Sequence, residues 1–282
     1  MLSFDEIRKQ FDDSLTGISA FRAMVKEYLQ SLTLALIYKG PYKENLVFIG
    51  GTKLRLLDNF LRFSEDLDFD LRGSYTESDH LKLCEYLVSG FSNMNIVAEI
   101  DTDKKIRTDG SYSRYINFPG ILDRIGLADV PNRKFFLKLD AEKHKFGSFS
   151  YHAETRILNR FDVFTPVVCA PNSFILATKL CSILERAKGR DFYDIVELVK
   201  ICKPDIDYIK NRLEYGKMKK QYAGPETYVK LAREALSTVD WKDKTLEIEK
   251  FLFRPEEAVK VTMFPDFASE ETLTNWLLPK DS

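Results

Sequence analysis

The sequence predicts an α/β or α+β first part of about 165 residues, followed by a mostly helical second part. Three observations predict it. Residue type alternates in RFSEDLDFDL at 62–71 and again at 135–143, the period of a half-buried strand. Beyond Pro166 and Pro171 that alternation gives way to apolar spacing of three and four, the period of helices. Near the front, the predicted order is helix, short apolar strand, Gly-Gly turn, helix and acidic strand. These patterns divide the chain into a helical segment at 1–40 that packs on the core, a domain at 41–165 and a helical domain at 166–282.

Composition narrows the class. With 282 residues, 44% hydrophobic and 30% charged, the chain is not mainly disordered and needs no disulfide or zinc scaffold. Lys plus Arg is 42 and Asp plus Glu is 43, a net charge of -1, so the whole molecule is not a polycation that coats nucleic acid. A local basic groove remains compatible with that total. Cys84, Cys169, Cys181 and Cys202 form no CxxC pair and, with three histidines, make no thiolate–imidazole metal site; they are expected reduced and mostly buried. MLSFDEIRKQFDD lacks a basic head before an apolar core, and the apolar run Leu32–Tyr38 is far too short for a bilayer. No membrane association and a cytoplasmic location are therefore expected.

Along the chain, residues 3–39 read as helical with a break at Gly17 and Ser19, and Ser3 with Glu6 forms a capping-box pattern. Leu46–Ile49 is a short strand, followed by Gly50, Gly51 and Thr52, and Lys53–Leu61 is a helix with Leu54, Leu57 and Leu61 on one stripe. The acidic strand puts Asp66, Asp68 and Asp70 on one face and Leu67, Phe69 and Leu71 on the other. A helix at 77–89 and strands at 95–100 and 112–118 follow; DTDKK is a charged turn and GILDRIGLADVPNRK is loop-like or partly helical. In the strand at 135–143, Phe136, Lys138, Asp140 and Glu142 share a face. Helices are expected at 173–188, 191–201, 205–215, 227–236, 243–252 and 269–277.

The chemistry concentrates between residues 50 and 68. Asp66 and Asp68 are two residues apart on one strand face, close enough to share one or two divalent cations, and Mg²⁺ favours such hard oxygen donors beside substrate phosphates. Gly50 and Gly51 allow close backbone approach, the following helix N-terminus favours phosphate, and Thr52 adds a hydroxyl donor. Either element alone is equally a solvated strand face or a capped turn. Together they form a phosphate cradle next to a metal-binding pair.

VFIGGTKLRLLDNFLRFSEDLDFDL resembles the signature of the AbiEii/AbiGii nucleotidyltransferase-like toxins, relatives of the MenT toxins, and more broadly the polymerase-β-type nucleotidyltransferases. Gly50, Gly51, Asp66 and Asp68 match the shared pattern, and Arg62-Phe63-Ser64 matches the AbiEii-like branch. A second signature, PNSFILATKLCSILERAKGRDFYDIVEL, resembles the family's later motifs through Lys179 and Arg190-Asp191, with Asp194 one turn on.

The resemblance implies a polymerase-β-type nucleotidyltransferase domain and a helical domain that completes the active site. It implies an Mg²⁺-dependent enzyme that transfers NMP from NTP to an acceptor, the tRNA 3′ end foremost, and so inhibits translation. The implied partners are tRNA and a cognate antitoxin, for which a winged-helix regulator is the family's frequent form. Asp66, Asp68, Lys179 and Asp191 become candidate catalytic residues; Gly50, Gly51, Thr52, Arg62, Ser64, Arg186 and Arg190 candidate phosphate or substrate contacts. The implied metal set is Asp66, Asp68 and Asp140, with Glu142 and Asp70 as same-face rivals for the third place. Lys188 extends the basic patch; Asp194 is a candidate pair for Lys188 or Arg190, and the run Lys217-Met218-Lys219-Lys220 is an RNA-facing or merely solvated patch. A protein or small-molecule acceptor, and an inactive nucleotide- or partner-binding protein, are the competing functions.

Overall fold

The computed structural model describes residues 1–101, 111–127, 134–144 and 146–278. Most of the expected turn DTDKK and part of the loop-like segment before Phe135 lie outside the described residues. The chain forms two compact units: residues 1–144 with 153–169, and residues 145–152 with 170 onward.

The first unit is built on a mixed seven-stranded sheet ordered β3-β4-β5-β2-β1-β7-β6. Its strands are β1 (Leu46–Ile49), β2 (Asp66–Leu71), β3 (Glu99–Ile100), β4 (Ser111–Asn117), β5 (Phe136–Glu142), β6 (Glu154–Arg160) and β7 (Val163–Cys169). β1 runs parallel to β7 and β2 parallel to β5; the other pairs are antiparallel. The helices of this unit are α1 (Phe4–Arg8), α2 (Ile18–Lys39), α3 (Gly50–Asp58), α4 (Glu77–Asn93) and α5 (Ile121–Arg124). The Ser3/Glu6 capping box is complete, and Gly17 at φ +92° ends the link before α2. α2 packs on β5, β6 and β7, while α4, opened by a Thr76/Asp79 capping box, packs on β3 and β4. Phe48, Leu67, Phe69, Leu137, Leu139 and Ala141 are buried within the sheet layer.

Three local differences from the sequence pattern have physical causes. The glycines are not a loop before the helix but its first turn, since α3 starts at Gly50. The acidic strand starts at Asp66, so Arg62 to Glu65 form the approach to it. The hairpin β6–β7 is new, and position 166, where the sequence placed a domain start, lies inside β7. Its two-residue turn is Phe161-Asp162, both with positive φ (51° and 60°), the backbone of a type I′ turn, which aspartate tolerates and phenylalanine rarely adopts. Proline inside a strand also argues against one. Pro166 is tolerated because the register of β1 on β7 is Phe48 opposite Cys169, away from the proline.

The second unit is helical: α6 (Asn172–Glu185), α7 (Gly189–Leu198), α8 (Ile206–Tyr215), α9 (Pro225–Leu236), α10 (Trp241–Glu249), a 3-10 turn at Pro255–Ala258, α11 (Val259–Thr262), α12 (Phe264–Phe267) and α13 (Glu270–Leu277). α6 is its central helix, packed against α7, α8 and α9. Phe149 and Tyr151, from the inserted segment, stack on Phe174 of α6.

Candidate active site

Strand register assembles one polar face across three neighbouring strands. Asp66 of β2 lies beside Lys138 of β5, which lies beside Tyr115 of β4. One step along, Asp68 lies beside Asp140, which lies beside Ser113; the next row is Asp70, Glu142 and Ser111. Paired strands are about 4.8 Å apart, so each row brings its side chains within reach of one another. Leu67 and Phe69 alternate to the opposite, buried face.

The glycine turn closes on this face. Gly50 has φ +79°, and a Cβ there would collide with the Asp68 carboxylate. A Cβ on Gly51 would lie 2.5 Å from Arg62 Nη2 and 3.0 Å from Ser64 Oγ. Gly50, Gly51, Arg62, Ser64 and Asp68, all selected from sequence, are thus brought together. Ile49 at the helix cap gives no side-chain bond and the first turn of α3 itself holds no acidic residue; the carboxylate that faces this amide end is that of Asp68 on β2.

The neighbours of the turn are held by hydrogen bonds within the fold. Arg62 is buried and donates from Nη1 to the Phe63 carbonyl at 3.0 Å. Gln30 of α2 donates to the Ser64 carbonyl at 3.0 Å. Thr52, expected as a hydroxyl donor to phosphate, is fully buried and its hydroxyl donates to the Asp66 carbonyl, which ties α3 to β2. The helix is further fixed by buried ion pairs, Lys53 with Asp58 at 3.0 Å and Arg55 with Glu27 at 2.8 Å, with Arg160 on the same glutamate at 2.8 Å.

Asp140 does stand beside Asp68, but its two oxygens are engaged, Oδ1 by the Ser113 hydroxyl and Oδ2 by the Lys138 ammonium. Burial alone would lower the Lys138 pKa; the bond to Asp140 and the charges of Asp140 and Asp66 outweigh it and raise it. Asp70 is buried, accepts from the His144 amide at 2.7 Å and pairs with Arg72 at 3.6 Å. Glu142 is exposed beside Asp70, one row beyond Asp68. Among the described residues, no group of three or more His, Cys, Asp or Glu side chains is arranged to hold a metal ion. Asp66 and Asp68, half-buried hard donors on one face, remain the pair suited to a divalent cation. Lys138 and Ser113 were not selected from sequence; the alternation that put Lys138 on the Asp140 face was the available signal, and nothing in the sequence marked Ser113.

In the helical unit, the end of α6 and the turn Arg186–Lys188, with Ala187 at φ +42°, bring Asp191 back to Lys179. Lys179 Nζ lies 2.8 Å from Asp191 Oδ1 and 2.8 Å from Asp194 Oδ2, with both aspartates fully buried. Asp194 therefore pairs with Lys179, a partner that the sequence had not suggested for it. Arg186 Nε adds a 3.3 Å contact to Asp191 Oδ2, which lacks a hydrogen bond of its own. Burial would raise the Asp191 pKa, but Lys179, Arg186 and Arg190 pull it down to about 2. The Lys188 pKa is lowered by burial and then by Arg190 and Arg186, the mark of crowded cations. Arg186 is half exposed, whereas the Lys179 side chain is only 9% exposed. The accessible positive charge of this motif thus lies on Arg186, Lys188 and Arg190 and not on Lys179.

A family described as "Nucleotidyl transferase AbiEii toxin, Type IV TA system" matches residues 33–269. Among solved structures, the chain is similar to MenT4, a nucleotidyltransferase toxin from Mycobacterium tuberculosis H37Rv, with a TM-score of 0.64 and 16% identity over 98% of this chain and 94% of that one. It is also similar to JHP933 from Helicobacter pylori, with a TM-score of 0.48 and 18% identity over 89% of this chain and 93% of that one. No curated protein matches.

Proposed function

The chain belongs to the AbiEii nucleotidyltransferase toxin family, and from that premise we propose that it transfers NMP from an NTP to the 3′ hydroxyl of tRNA and thereby blocks translation. The observation that carries the proposal is the closure of the Gly50–Gly51 turn on Asp68, beside Asp66 on the same strand face. The amide end of α3 suits the terminal phosphates. Asp66 and Asp68 would hold Mg²⁺, which when bound supplies Lewis-acid charge against the triphosphate. The acceptor oxygen forms a bond to the α-phosphorus, the bond from that phosphorus to the β-phosphate bridge breaks, and pyrophosphate leaves with its electron pair. The hydroxyl proton passes to a carboxylate of the pair or to solvent.

Arg186, Lys188 and Arg190 are the groups of the helical unit best suited to polyanion contact, and Lys179 with Asp191 sets the geometry of their turn. A type IV toxin–antitoxin family implies an antitoxin as well as an NTP; a winged-helix regulator is the form we propose for it. No helix among the described residues is long and apolar enough to cross a membrane, in keeping with the cytoplasmic location we propose.

Each NTP, labelled at its α-phosphate, is incubated with Mg²⁺, purified tRNA and cell extract protein. Wild type should label tRNA, while Asp66→Asn and Asp68→Asn should lose at least a hundredfold. Label confined to protein or to a small molecule would replace the tRNA acceptor, and unimpaired aspartate variants would remove the site.

A further inference from the structure

Among the described residues, Lys138 is the one cation that strand register places on the carboxylate face itself, beside Asp66 and one row from Asp68. Its ammonium engages Asp140 Oδ2 while Ser113 engages Oδ1, so both oxygens of the third carboxylate already have donors. A divalent ion drawn to Asp140 would meet the ammonium at close range, and like charges in a partly buried site repel strongly. The lysine is itself largely shielded, with a side chain 17% exposed, so turning it out to water would require breaking its ion pair.

We propose that Lys138 is a resident cation of this face: it withholds Asp140 from metal coordination and restricts the site to one divalent ion at Asp66 and Asp68. The inference rests on the proposed metal-binding reading of that pair. Lys138 neutralises Asp140 and leaves the charge of Asp66 and Asp68 for the metal. It acts as a positioning residue, because it touches the Asp140 carboxylate and not the reacting atoms.

The test is Mn²⁺ binding to the full chain without nucleotide, followed by the paramagnetic resonance of free Mn²⁺, with thermal melts to confirm folding. Wild type should bind one Mn²⁺. Asp140→Asn should weaken binding about tenfold, since the freed ammonium then turns to its register neighbour Asp66. The double variant Lys138→Met with Asp140→Asn should recover to within about threefold of wild type. Lys138→Met alone should release Asp140 as a ligand, giving at least tenfold tighter binding or a second ion; Lys138→Gln serves if the methionine variant does not fold. A double variant as weak as Asp140→Asn would make Asp140 a metal ligand and overturn the proposal, as would a Lys138 variant that binds like wild type. Asp68→Asn provides the separate control: if it binds Mn²⁺ as wild type does, the metal reading of the pair fails, whatever Lys138 does.

Discussion

Gly50 is the residue where conformation and chemistry are most tightly joined. Its φ of +79° disfavours any side chain, and an added Cβ would strike the Asp68 carboxylate. Gly50→Ala should cost about 1–2 kcal/mol from backbone strain alone and reduce transfer at least tenfold by displacing Asp68; a thermal melt and the labelled-NTP assay read the two effects separately. Asp191 gives a pH signature. Its folded-state pKa is depressed to about 2, so it contributes stability above the unfolded value of 3.8 and loses that contribution as pH falls through about 2. Asp191→Asn should therefore flatten the dependence of stability on pH between those values, measured by urea unfolding at a series of pH values. Lys179→Met should be worse for the fold at neutral pH, by about 3–5 kcal/mol, because it removes the cation that two buried carboxylates share.

At the scale of elements, the site depends on how α3 is tied to β2. The Thr52 hydroxyl donates to the Asp66 carbonyl from a fully buried position. Thr52→Val keeps the shape and leaves that carbonyl without its donor, at a cost of about 1–3 kcal/mol. The expected result is a lower melting temperature and weakened transfer with Thr52→Ser close to wild type, measured in parallel. The acidic alternation, the Gly-Gly punctuation and the helical spacing were legible in sequence because each depends on near neighbours. The β6–β7 hairpin was not, since its turn uses Phe161 and Asp162 at positive φ and a proline sits within β7. Phe161 accepts that backbone in a buried setting against Phe11 and Tyr28, contacts that no local pattern contains.

For the whole molecule, burial decides cysteine chemistry. It pushes the thiols of Cys84 and Cys181 up to about 12 and that of Cys169 up to about 11, whereas Cys202 is partly exposed. A thiol-exchange reagent at neutral pH should modify Cys202 first and the other three only after denaturant is added, as followed by peptide mass analysis. With a net charge of -1, the molecule has no global attraction for RNA, so binding has to come from local cations. If Arg186 and Arg190 contact phosphates, replacing either with alanine should weaken tRNA binding and reduce the log–log salt slope by about 0.7–0.9.

The sequence by itself determined the mixed sheet-then-helix order, the strand face bearing Asp66 and Asp68, the glycine turn and the Lys179–Asp191 motif, because periodicity and punctuation act over a few residues. Tertiary structure decided which of those groups are free to act. Parallel pairing of β2 with β5 put Lys138 and Asp140 beside the aspartate pair, across about 70 residues of chain. Burial then assigned Thr52 and Asp70 to holding the fold and locked Lys179 between two carboxylates. Register and desolvation are properties of the assembled chain, and they set which charges meet each other and which still meet water.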